Sequence, residues 1–404
     1  MDLWFRTTDH AVGQGLMCSG ELSDDDGNSL LTYVYDCGSS ESNNADLLKR
    51  EVRASIGFRE RVDVLYLSHF DEDHVNGVKF LARERKIGTI VVPATSLAER
   101  VLRFGGTHGA NASSVSDIDA EIIRDPQAGL TEVSPDSDIL VVGETSPLSR
   151  GNDQAEIGEG EVEVSPVDSN GAIHVRTPKS SVWMLKPWTV PEVASSKALF
   201  LRELKFKDEV ALEKGVRRLL QSDAGRDAVR KAYESALKKV RKSDVMNFTS
   251  LCLYSGPAVL PKATHRARRV PTGVFTSSGW QVREERAERS DVGAWGVRPG
   301  WIGTGDALLK EKKRSSRFEL EYSQVADLVG SITLPHHGSK RNFSRTIMFN
   351  SPKSMVAVAS SGTKNTYGHP SPEVLAAVSS SGGHLVSVNE SEDSRFTQVR
   401  HVKF

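Results

Sequence analysis

The chain has 404 residues and a formal net charge of −1, so its overall charge gives no sign of a polyanion as partner. This length allows a large core, in one domain or in one domain that carries an insertion. Three cysteines, far apart in the sequence, exclude a disulfide framework and a cysteine zinc site and favour a reducing compartment. The first residues lack a signal-peptide pattern, and no run approaches the roughly 20 apolar residues of a membrane span. We therefore expect a soluble, cytoplasmic protein that makes no membrane contact.

The N-terminal part of the chain alternates between strand and helix patterns. A tight glycine turn, Val12-Gly13-Gln14-Gly15, separates paired strands, and a later strand ends in Asp36 followed by a flexible turn. This alternation predicts an α/β fold. The predicted elements are strands within 3–38, a helix at 45–52, a strand at 62–67, a helix from about Asn76, and a strand at 87–92.

A cluster of potential metal ligands follows the predicted strand 62–67. His69, Asp71, Asp73 and His74 fall within six residues, on the loop that leaves the strand. A strand-end turn can fold such side chains around a cation, whereas burial without one would be costly for the carboxylates. The competing interpretation is a solvated acidic turn that happens to hold two histidines.

The stretch 110–170 is strongly acidic, with fourteen aspartates and glutamates against two arginines. Glycine, serine and proline are scattered through it. We expect loops or short exposed strands here.

Residues 195–243 are predicted to form two helices with a basic surface. Fourteen lysines and arginines face seven acidic residues between Lys197 and Lys242, and further basic residues follow at 266–269 and 310–314. One interpretation is a set of ordinary solvated helix faces, and the other is a surface for a phosphate backbone. No sequence-reading motif for DNA or RNA accompanies the charges.

The C-terminal part returns to strands that end in polar turns. Asp306 follows one strand, the His336-His337-Gly338-Ser339 run follows the next, and a Ser-Ser-Gly turn follows a third. Active sites of layered α/β folds are built from such strand-end loops.

These short blocks, in this order, resemble a metallo-β-lactamase-fold hydrolase, specifically the hydrolase domain of ComEC-type competence DNA-uptake proteins. The resemblance covers both ends of the chain and leaves roughly 95–245 unmatched. The blocks are Val12-Gly13-Gln14-Gly15, Tyr35-Asp36-Cys37-Gly38, Ser68-His69-Phe70-Asp71-Glu72-Asp73-His74, Asn247-Phe248-Thr249-Ser250-Leu251, Thr304-Gly305-Asp306-Ala307, Pro335-His336-His337-Gly338-Ser339 and Asn365-Thr366-Tyr367-Gly368-His369-Pro370.

The resemblance implies a four-layer αββα sandwich over 1–404, interrupted by the acidic excursion 110–170 and a helical insertion at 195–245. It also implies two divalent cations, Zn²⁺ or alternatively Mn²⁺, because oxygen ligands are numerous. His69 and Asp71 would bind one cation, and Asp306 would bridge. Asp73, His74 and one histidine of the His336–His337 pair would bind the other, and we favour His336 because it directly ends the strand.

A further histidine that many such enzymes place between the first loop and the Gly-Asp turn has no match here. His108 and His174 lie in that interval without the expected flanking residues, and both are predicted to be ordinary loop or surface residues. We therefore expect the first cation to be held loosely.

The resemblance also implies roles in catalysis. Two cations about 3.5–4 Å apart would hold a hydroxide for in-line attack on phosphorus, and Asp73 would orient it. His369 and Ser339 would bind phosphate or protonate the leaving oxygen, although His369 could simply cap a turn. Asp36 is interpreted either as a carboxylate that orients a ligand histidine or as a plain turn residue.

Three functions remain open at this stage. The first is a phosphodiesterase or nuclease acting on DNA or RNA. The second is a hydrolase of a small phosphoester, a cyclic nucleotide or a lactone, because this scaffold hosts many reactions. The third is a partner-gated regulatory subunit that docks another protein through 110–170 or 195–245.

Overall fold

The computed structural model describes residues 1–404 apart from 42, 56–59, 108–116, 144–161, 191–193, 240–248, 262, 266–271, 277–278, 284–297 and 350–354. Several residues singled out in the sequence lie outside the described part. They are His108, the acidic residues between 144 and 161, the Asn247-Phe248 pair, and Arg266, Arg268 and Arg269.

The strands, numbered in chain order, are β1 Asp2–Asp9, β2 Met17–Asp24, β3 Ser29–Cys37, β4 Arg61–Tyr66, β5 Lys86–Pro93, β6 Asp138–Val142, β7 Glu163–Val164, β8 Ile173–Arg176, β9 Ser181–Val190, β10 Ser250–Pro257, β11 Ala263–His265, β12 Thr272–Thr276, β13 Gly279–Arg283, β14 Gly300–Gly303, β15 Val329–Thr333, β16 Val356–Ser360, β17 His384–Val388 and β18 Phe396–Lys403. The α-helices are α1 Asn44–Ala54, α2 Glu72–Val75, α3 Val78–Glu84, α4 Leu97–Thr107, α5 Asp117–Arg124, α6 Pro126–Val133, α7 Ala194–Glu203, α8 Glu209–Gln221, α9 Asp223–Lys239, α10 Lys312–Tyr322 and α11 Pro372–Ser380. Short 3₁₀ turns lie at Ser323–Val325, Pro335–Gly338, Arg345–Met348 and Glu392–Ser394.

Two mixed sheets of eight strands form the middle of the molecule. The first has the order β11-β18-β1-β2-β3-β4-β5-β6, and the second has the order β17-β16-β15-β14-β10-β9-β8-β7. Strands β3 to β6 run parallel to one another, as do β14 to β17. Parallel strands direct their carboxyl ends to one edge, so each sheet gathers its strand-end loops on one side.

Aromatic side chains from both sheets fill the space between them. Phe5 of the first sheet packs against Trp183 of the second with ring centroids 4.6 Å apart, and Tyr35 meets Trp301 at 5.5 Å. The hydroxyl of Tyr35 also donates a hydrogen bond across the interface to the carbonyl oxygen of Leu251, at 2.6 Å. Each buried ring contributes about 1.5–3 kcal/mol relative to exposure. The two sheets therefore share one continuous core.

Helices cover the outer faces of both sheets. On the first sheet, α1, α3 and α6 bury Leu48, Leu81 and Leu130 against the strands. On the second, α10 and α11 bury Phe318 and Val374 in the same way. The predicted αββα sandwich is confirmed.

The prediction of loops and short strands for 110–170 is wrong in part. Helices α5 and α6 and strand β6 lie in this stretch, and Ile122, Ile123 and Leu130 are buried. The stretch is acidic, but the apolar residues of each helix fall on one face, which is sufficient to anchor the helix.

The prediction of two helices at 195–243 is also wrong, because three form. Lys205, with a φ of 62°, follows the end of α7, and Asp208 caps α8 by accepting a hydrogen bond from the Ala211 amide. A new helix, α9, starts directly after Ser222. Helices α4, α7, α8 and α9 share a separate apolar core that includes Phe200, Val216 and Val229; we call these four helices the helical layer.

Part of the basic surface of the helical layer is paired within the chain. Arg230 contacts Glu234 at 2.9 Å, and Lys197 contacts Glu209 at 2.5 Å. Arg217 reaches Glu121 of the acidic stretch at 3.8 Å. The acidic and basic segments thus meet in one chain, at its surface.

The structure bears on two features that composition had raised, the cysteines and membrane-spanning helices. The three cysteines are buried free thiols. Within the described ranges, no helix has the length and apolarity needed to cross a bilayer.

Candidate metal centre

Loops from both sheets meet at the carboxyl ends of the parallel strands. The first sheet brings Asp36, at the end of β3, and the loop after β4 that holds His69 and His74. The second sheet brings Asp306 after β14 and the His336–His337 pair after β15. The helix after the β4 loop begins at Glu72, earlier than the predicted Asn76, so Asp73 and His74 lie on its first turn.

Three buried side chains at this meeting point present atoms that make no hydrogen bond to any described residue. They are Nε2 of His69, Nε2 of His74 and Oδ1 of Asp306. Nε2 of His74 lies 3.4 Å from Oδ1 of Asp306, and Nε2 of His69 lies 3.6 Å from the other Asp306 oxygen. A buried polar atom left unpaired costs about 1–3 kcal/mol, and a cation among these three atoms would satisfy all of them. The donor set therefore fits a divalent cation.

A hydrogen-bond network behind the histidines orients them. Asp36 accepts from Nδ1 of His74 at 2.8 Å and from the Ser68 hydroxyl at 2.7 Å. The same hydroxyl lies 2.8 Å from Nδ1 of His69, where it can accept. This pattern places the ring protons on Nδ1 and leaves both Nε2 lone pairs facing the cluster.

Asp36 itself has a special backbone conformation. It lies in a bulge of β3, where Cys18 pairs with Tyr35 and Met17 with Cys37, and its φ is 55°. Such backbone is rare for a residue other than glycine and occurs where a side chain is aimed at a site. The position of Asp36 agrees with the orienting role predicted for it, which stays a prediction.

A second group of possible ligands adjoins the first. Nε2 of His337 lies 3.3 Å from Asp73, and Nε2 of His74 lies 3.9 Å from the other Asp73 oxygen. Nδ1 of His337 lies 2.8 Å from the carbonyl oxygen of Ser360, to which it can donate, so its Nε2 also faces inward. Because Nδ1 of His74 is held by Asp36, His74 offers one lone pair and can bind only one cation.

The histidine beside Asp73 is His337, whereas the sequence-based preference was His336. His336 lies on the other side, with Nδ1 3.4 Å from Asp306, and its side chain is 43% exposed. The strand β15 ends at Thr333, and the 3₁₀ turn that follows gives both histidines positive φ values, 50° and 57°. Because of this turn, the side chain that points at Asp73 is that of His337 and not that of His336.

Two glycines explain how Asp73 is held. A Cβ on Gly15 would come within 2.8 Å of the Asp73 carbonyl oxygen, and one on Gly38 within 2.4 Å of the Asp73 carbonyl carbon. The Leu16 amide donates to that same oxygen at 3.1 Å. The opening glycine turn thus packs directly on the backbone of Asp73, which a side chain would prevent.

Carboxylates dominate the charge of the centre. Burial alone would lower the pKa of His74, but the charges of Asp36, Asp73 and Asp306 raise that pKa well above its usual value. The site therefore favours a positive charge beside His74, and a cation that binds there must displace a proton.

Asp71 lies beside His69, with Oδ2 3.4 Å from Nε2 of His69, and it is held there by Arg103. Nε and Nη2 of Arg103 donate to the two Asp71 oxygens at 2.8 and 3.0 Å, and Nη2 lies 3.6 Å from Asp306. Burial would raise the pKa of Asp71, but the guanidinium lowers it well below the usual range. Sequence reasoning missed Arg103, which belongs to α4 in the unmatched part of the chain.

The helical layer borders the centre. A Cβ on Gly105 of α4 would touch the Tyr233 Cβ of α9 at 3.1 Å, so these helices are in close contact. Burial raises the pKa of Tyr233, and the charge of Asp71 raises it further, while that of Arg103 lowers it. The helical layer therefore lies beside the group of possible metal ligands and not on a remote face of the protein.

His369 and Tyr367 lie on the outer side of the centre. The ring of His369 is 5.6 Å from that of His336 and stacks 5.8 Å from that of Tyr367, whose side chain is 70% exposed. Burial, with help from His336 and His337, lowers the pKa of His369 to about 4, so this imidazole is uncharged at neutral pH.

The other predicted residues have structural contacts. Ser339 is buried, and its hydroxyl accepts from the Arg341 amide at 3.3 Å, so it supports the turn after His337. His174 is half-buried, with Nδ1 3.0 Å from the Ser181 hydroxyl.

The N-terminal half of this centre lies in a segment that matches a protein-family model. Residues 28–185 match the family described as the metallo-beta-lactamase superfamily. This part of the chain is similar to metallo-β-lactamase superfamily domains. The match includes the loop with His69 and His74, while Asp306 and His337 of the same centre lie beyond it. No curated protein sequence matches the chain.

Three solved structures are similar to this chain at low identity. The unliganded yeast PDE1 is 9% identical with a TM-score of 0.37, and the alignment covers 100% of each chain. A point mutant of the CmlA β-hydroxylase is 10% identical with a TM-score of 0.34, and the alignment covers 98% of this chain and 53% of that one. A long form of RNase Z from yeast is 9% identical with a TM-score of 0.27, covering 96% and 37%. The chain thus spans about half the length of the CmlA protein, and identities of this size say nothing about its substrate.

Proposed function

We propose that this chain is a metal-dependent hydrolase that cleaves phosphodiesters, with DNA or RNA as substrate, like the competence-protein branch that its motifs resemble. The observation that carries the proposal is the set of buried Nε2 and carboxylate atoms of His69, His74 and Asp306, which make no hydrogen bond and are joined by Asp73 and His337. A Zn²⁺ or Mn²⁺ ion in such a centre supplies Lewis acidity and lowers the pKa of a water molecule from about 15.7 towards 7.

The protein side chains would position the reactants. Asp73 is the most accessible carboxylate of the cluster, with a side chain 18% exposed against 7% for Asp71 and for Asp306. It is therefore the group placed to accept a hydrogen bond from the attacking water and to hold it for in-line attack. His369, on the outer side of His336, is placed to contact the leaving oxygen or a phosphate oxygen.

The exposed ring of Tyr367 favours a substrate that carries a base. An aromatic side chain beside a phosphodiester site can stack on a nucleobase without reading its identity. The loop that presents the ring is held by Asn365, whose side chain bonds the backbone of His369 in both directions at 2.9 Å. Tyr367 is thus presented from a fixed loop.

A small phosphoester or a cyclic nucleotide is the second candidate. It is favoured by the ion pairs of Lys197, Arg217 and Arg230 with neighbouring acids, which reduce the charge available to a long polyanion. A protein partner that docks on 110–170 or 195–245 and controls access is a further proposal. It rests on the position of the helical layer beside the centre.

The proposal is tested by hydrolysis assays on protein that has been stripped with a chelator and reloaded with Mn²⁺ or Zn²⁺. Single- and double-stranded DNA, RNA, a cyclic nucleotide and bis(p-nitrophenyl) phosphate are compared as substrates. Wild type is expected to cleave a nucleic acid, and Asp73→Asn to be slower by roughly 100-fold or more. Cleavage of only the small esters would select the second candidate. Equal rates for wild type and Asp73→Asn on every substrate would overturn the proposal.

A further inference from the structure

The guanidinium of Arg103 lies where the family pattern would place part of a second cation site. In the sequence-based assignment, His69 and Asp71 bind one of two cations. In the structure, both oxygens of Asp71 accept hydrogen bonds from Arg103. Asp71 is 6% exposed and Arg103 is 5% exposed, so water does not weaken the pair.

Arg103 is fixed in this position from its own helix. Its Nη1 donates to the carbonyl oxygen of Thr249 at 3.3 Å. Glu99, one turn earlier on α4, accepts from both the amide and the hydroxyl of Thr249. Leu102 and Phe104, on either side of Arg103, are buried in the core of the helical layer. The guanidinium therefore cannot leave Asp71 unless α4 shifts against β10.

The remaining donors serve one cation better than two. Asp73, His74 and His337 form one complete group of three, next to Asp306. On the other side, the single lone pair of His74 is no longer available, and the donors are His69, the second Asp306 oxygen and the half-exposed His336. Asp71 also lies there, 3.4 Å from Nε2 of His69, but both of its oxygens are paired with Arg103. The guanidinium of Arg103, paired with Asp71 and 3.6 Å from Asp306, repels a second dication and competes with it for these two carboxylates.

We propose that Arg103 supplies the positive charge that a second cation would otherwise bring, so that the centre binds one divalent cation tightly. This inference rests on the metal centre of the proposed function, and it replaces the expectation of two cations. The inference also gives the helical layer a role, because α4 holds the guanidinium of Arg103 in a fixed position near the reacting phosphate.

The test is the number of cations bound. Chelator-stripped wild type, titrated with Mn²⁺ or Zn²⁺ by calorimetry, is expected to bind one equivalent tightly and a second at least about 100-fold more weakly, because Arg103 repels the second cation and holds Asp71. Electron paramagnetic resonance of the Mn²⁺ form is expected to show isolated ions. Two tight equivalents with an exchange-coupled signal would overturn the inference, and so would the absence of any tight equivalent.

Variants separate the role of Arg103 from a general effect of the helix. Arg103→Met frees Asp71 and is expected to tighten the second equivalent by about 10-fold or more. The double variant Asp71→Asn with Arg103→Met removes the freed ligand and is expected to return to one equivalent. Arg100→Met is the matched control: this arginine of α4 bonds the carbonyl oxygens of Ile123 and Arg124 and leaves the count at one. A second equivalent that Arg103→Met fails to tighten contradicts the inference, with circular dichroism confirming that each variant is folded.

The number of bound cations can be measured without knowing the substrate. A wild type that binds one cation but cleaves no phosphodiester would refute the proposed function and leave this inference standing. A wild type that binds two cations and cleaves nucleic acid would do the reverse.

Discussion

Oδ2 of Asp36 lies 2.8 Å from Nδ1 of His74, on the side of the ring opposite the cluster. Both side chains are buried, and Asp36 reaches this position from a bulge in β3. A carboxylate behind a ligand histidine fixes the ring and raises its basicity. A substitution of Asp36 therefore tests the centre without removing any of the atoms that would bind the cation.

Asp36→Asn is expected to weaken cation binding by about 10- to 100-fold, because a neutral amide accepts from Nδ1 of His74 more weakly than a carboxylate and no longer raises the basicity of the ring. Calorimetric titration with Zn²⁺ measures the effect. Asp63→Asn is the matched control, since Asp63 also accepts from the neighbouring strand, at the Thr32 amide and hydroxyl. Its substitution is expected to lower stability and to leave cation affinity unchanged. Equal affinity for wild type and Asp36→Asn would show that Asp36 has no orienting role.

The two adjacent histidines are expected to behave differently. His337→Ala removes a member of the group around Asp73 and is expected to lower cation affinity by at least about 10-fold. His336→Ala removes a half-exposed ring near Asp306 and is expected to lower it less. Metal analysis after dialysis distinguishes the two variants. A larger loss in His336→Ala would restore the assignment made from the sequence.

Asp9 makes stability depend on pH. It lines the same small cavity as His74 and Asp306, and burial raises its pKa to about 7 in the folded protein. The unfolded chain releases this proton near pH 4, while the folded protein keeps it until about pH 7. The free energy of unfolding therefore falls as pH rises through this window, by up to about 4 kcal/mol.

Asp9→Asn is expected to remove that dependence. In chelator-treated protein, the variant should resemble wild type at pH 4 and exceed its free energy of unfolding at pH 8, as measured by urea titration. Asp26→Asn, at an exposed position of the β2–β3 turn, is the control and should change neither value. A variant that gains no stability over wild type between pH 4 and pH 8 would contradict the assignment.

Tyr367 is expected to contribute to the binding of a base. Stacking is worth about 1–3 kcal/mol per base, so Tyr367→Ala should raise KM for an oligonucleotide by roughly 5- to 150-fold. Tyr367→Phe keeps the ring and should restore KM. A phosphodiester with an abasic site at the stacking position should show no difference between the variants. An unchanged KM for Tyr367→Ala on the intact oligonucleotide would remove the main support for a nucleic acid substrate.

The part of the centre that sequence reasoning found is the part encoded in short local blocks. His69 to His74, Asp306 and the His336–His337 pair each follow a strand, and polar residues directly after buried strands are visible in a sequence. The choice between His336 and His337 was not visible, because it depends on two positive φ values in one turn. The order of the layers followed from the resemblance and is confirmed.

Arg103 could not be found in this way. Its partner Asp71 lies 32 residues earlier in the chain, and no motif links them. One signal was present, since Glu99 and Arg103 are one turn apart on a helix whose neighbouring residues Val101, Leu102 and Phe104 are apolar and buried. Charges on the buried side of a helix indicate a polar contact, but tertiary packing decides which one.

The central claim is that His74, Asp73, His337 and Asp306 surround a divalent cation. Anomalous diffraction from crystals grown with Zn²⁺, measured on both sides of the zinc absorption edge, locates that cation directly. The account predicts one strong peak within about 2.0–2.2 Å of Nε2 of His74 and Nε2 of His337. A peak bound by other residues, or no peak at this meeting point of the two sheets, would contradict it.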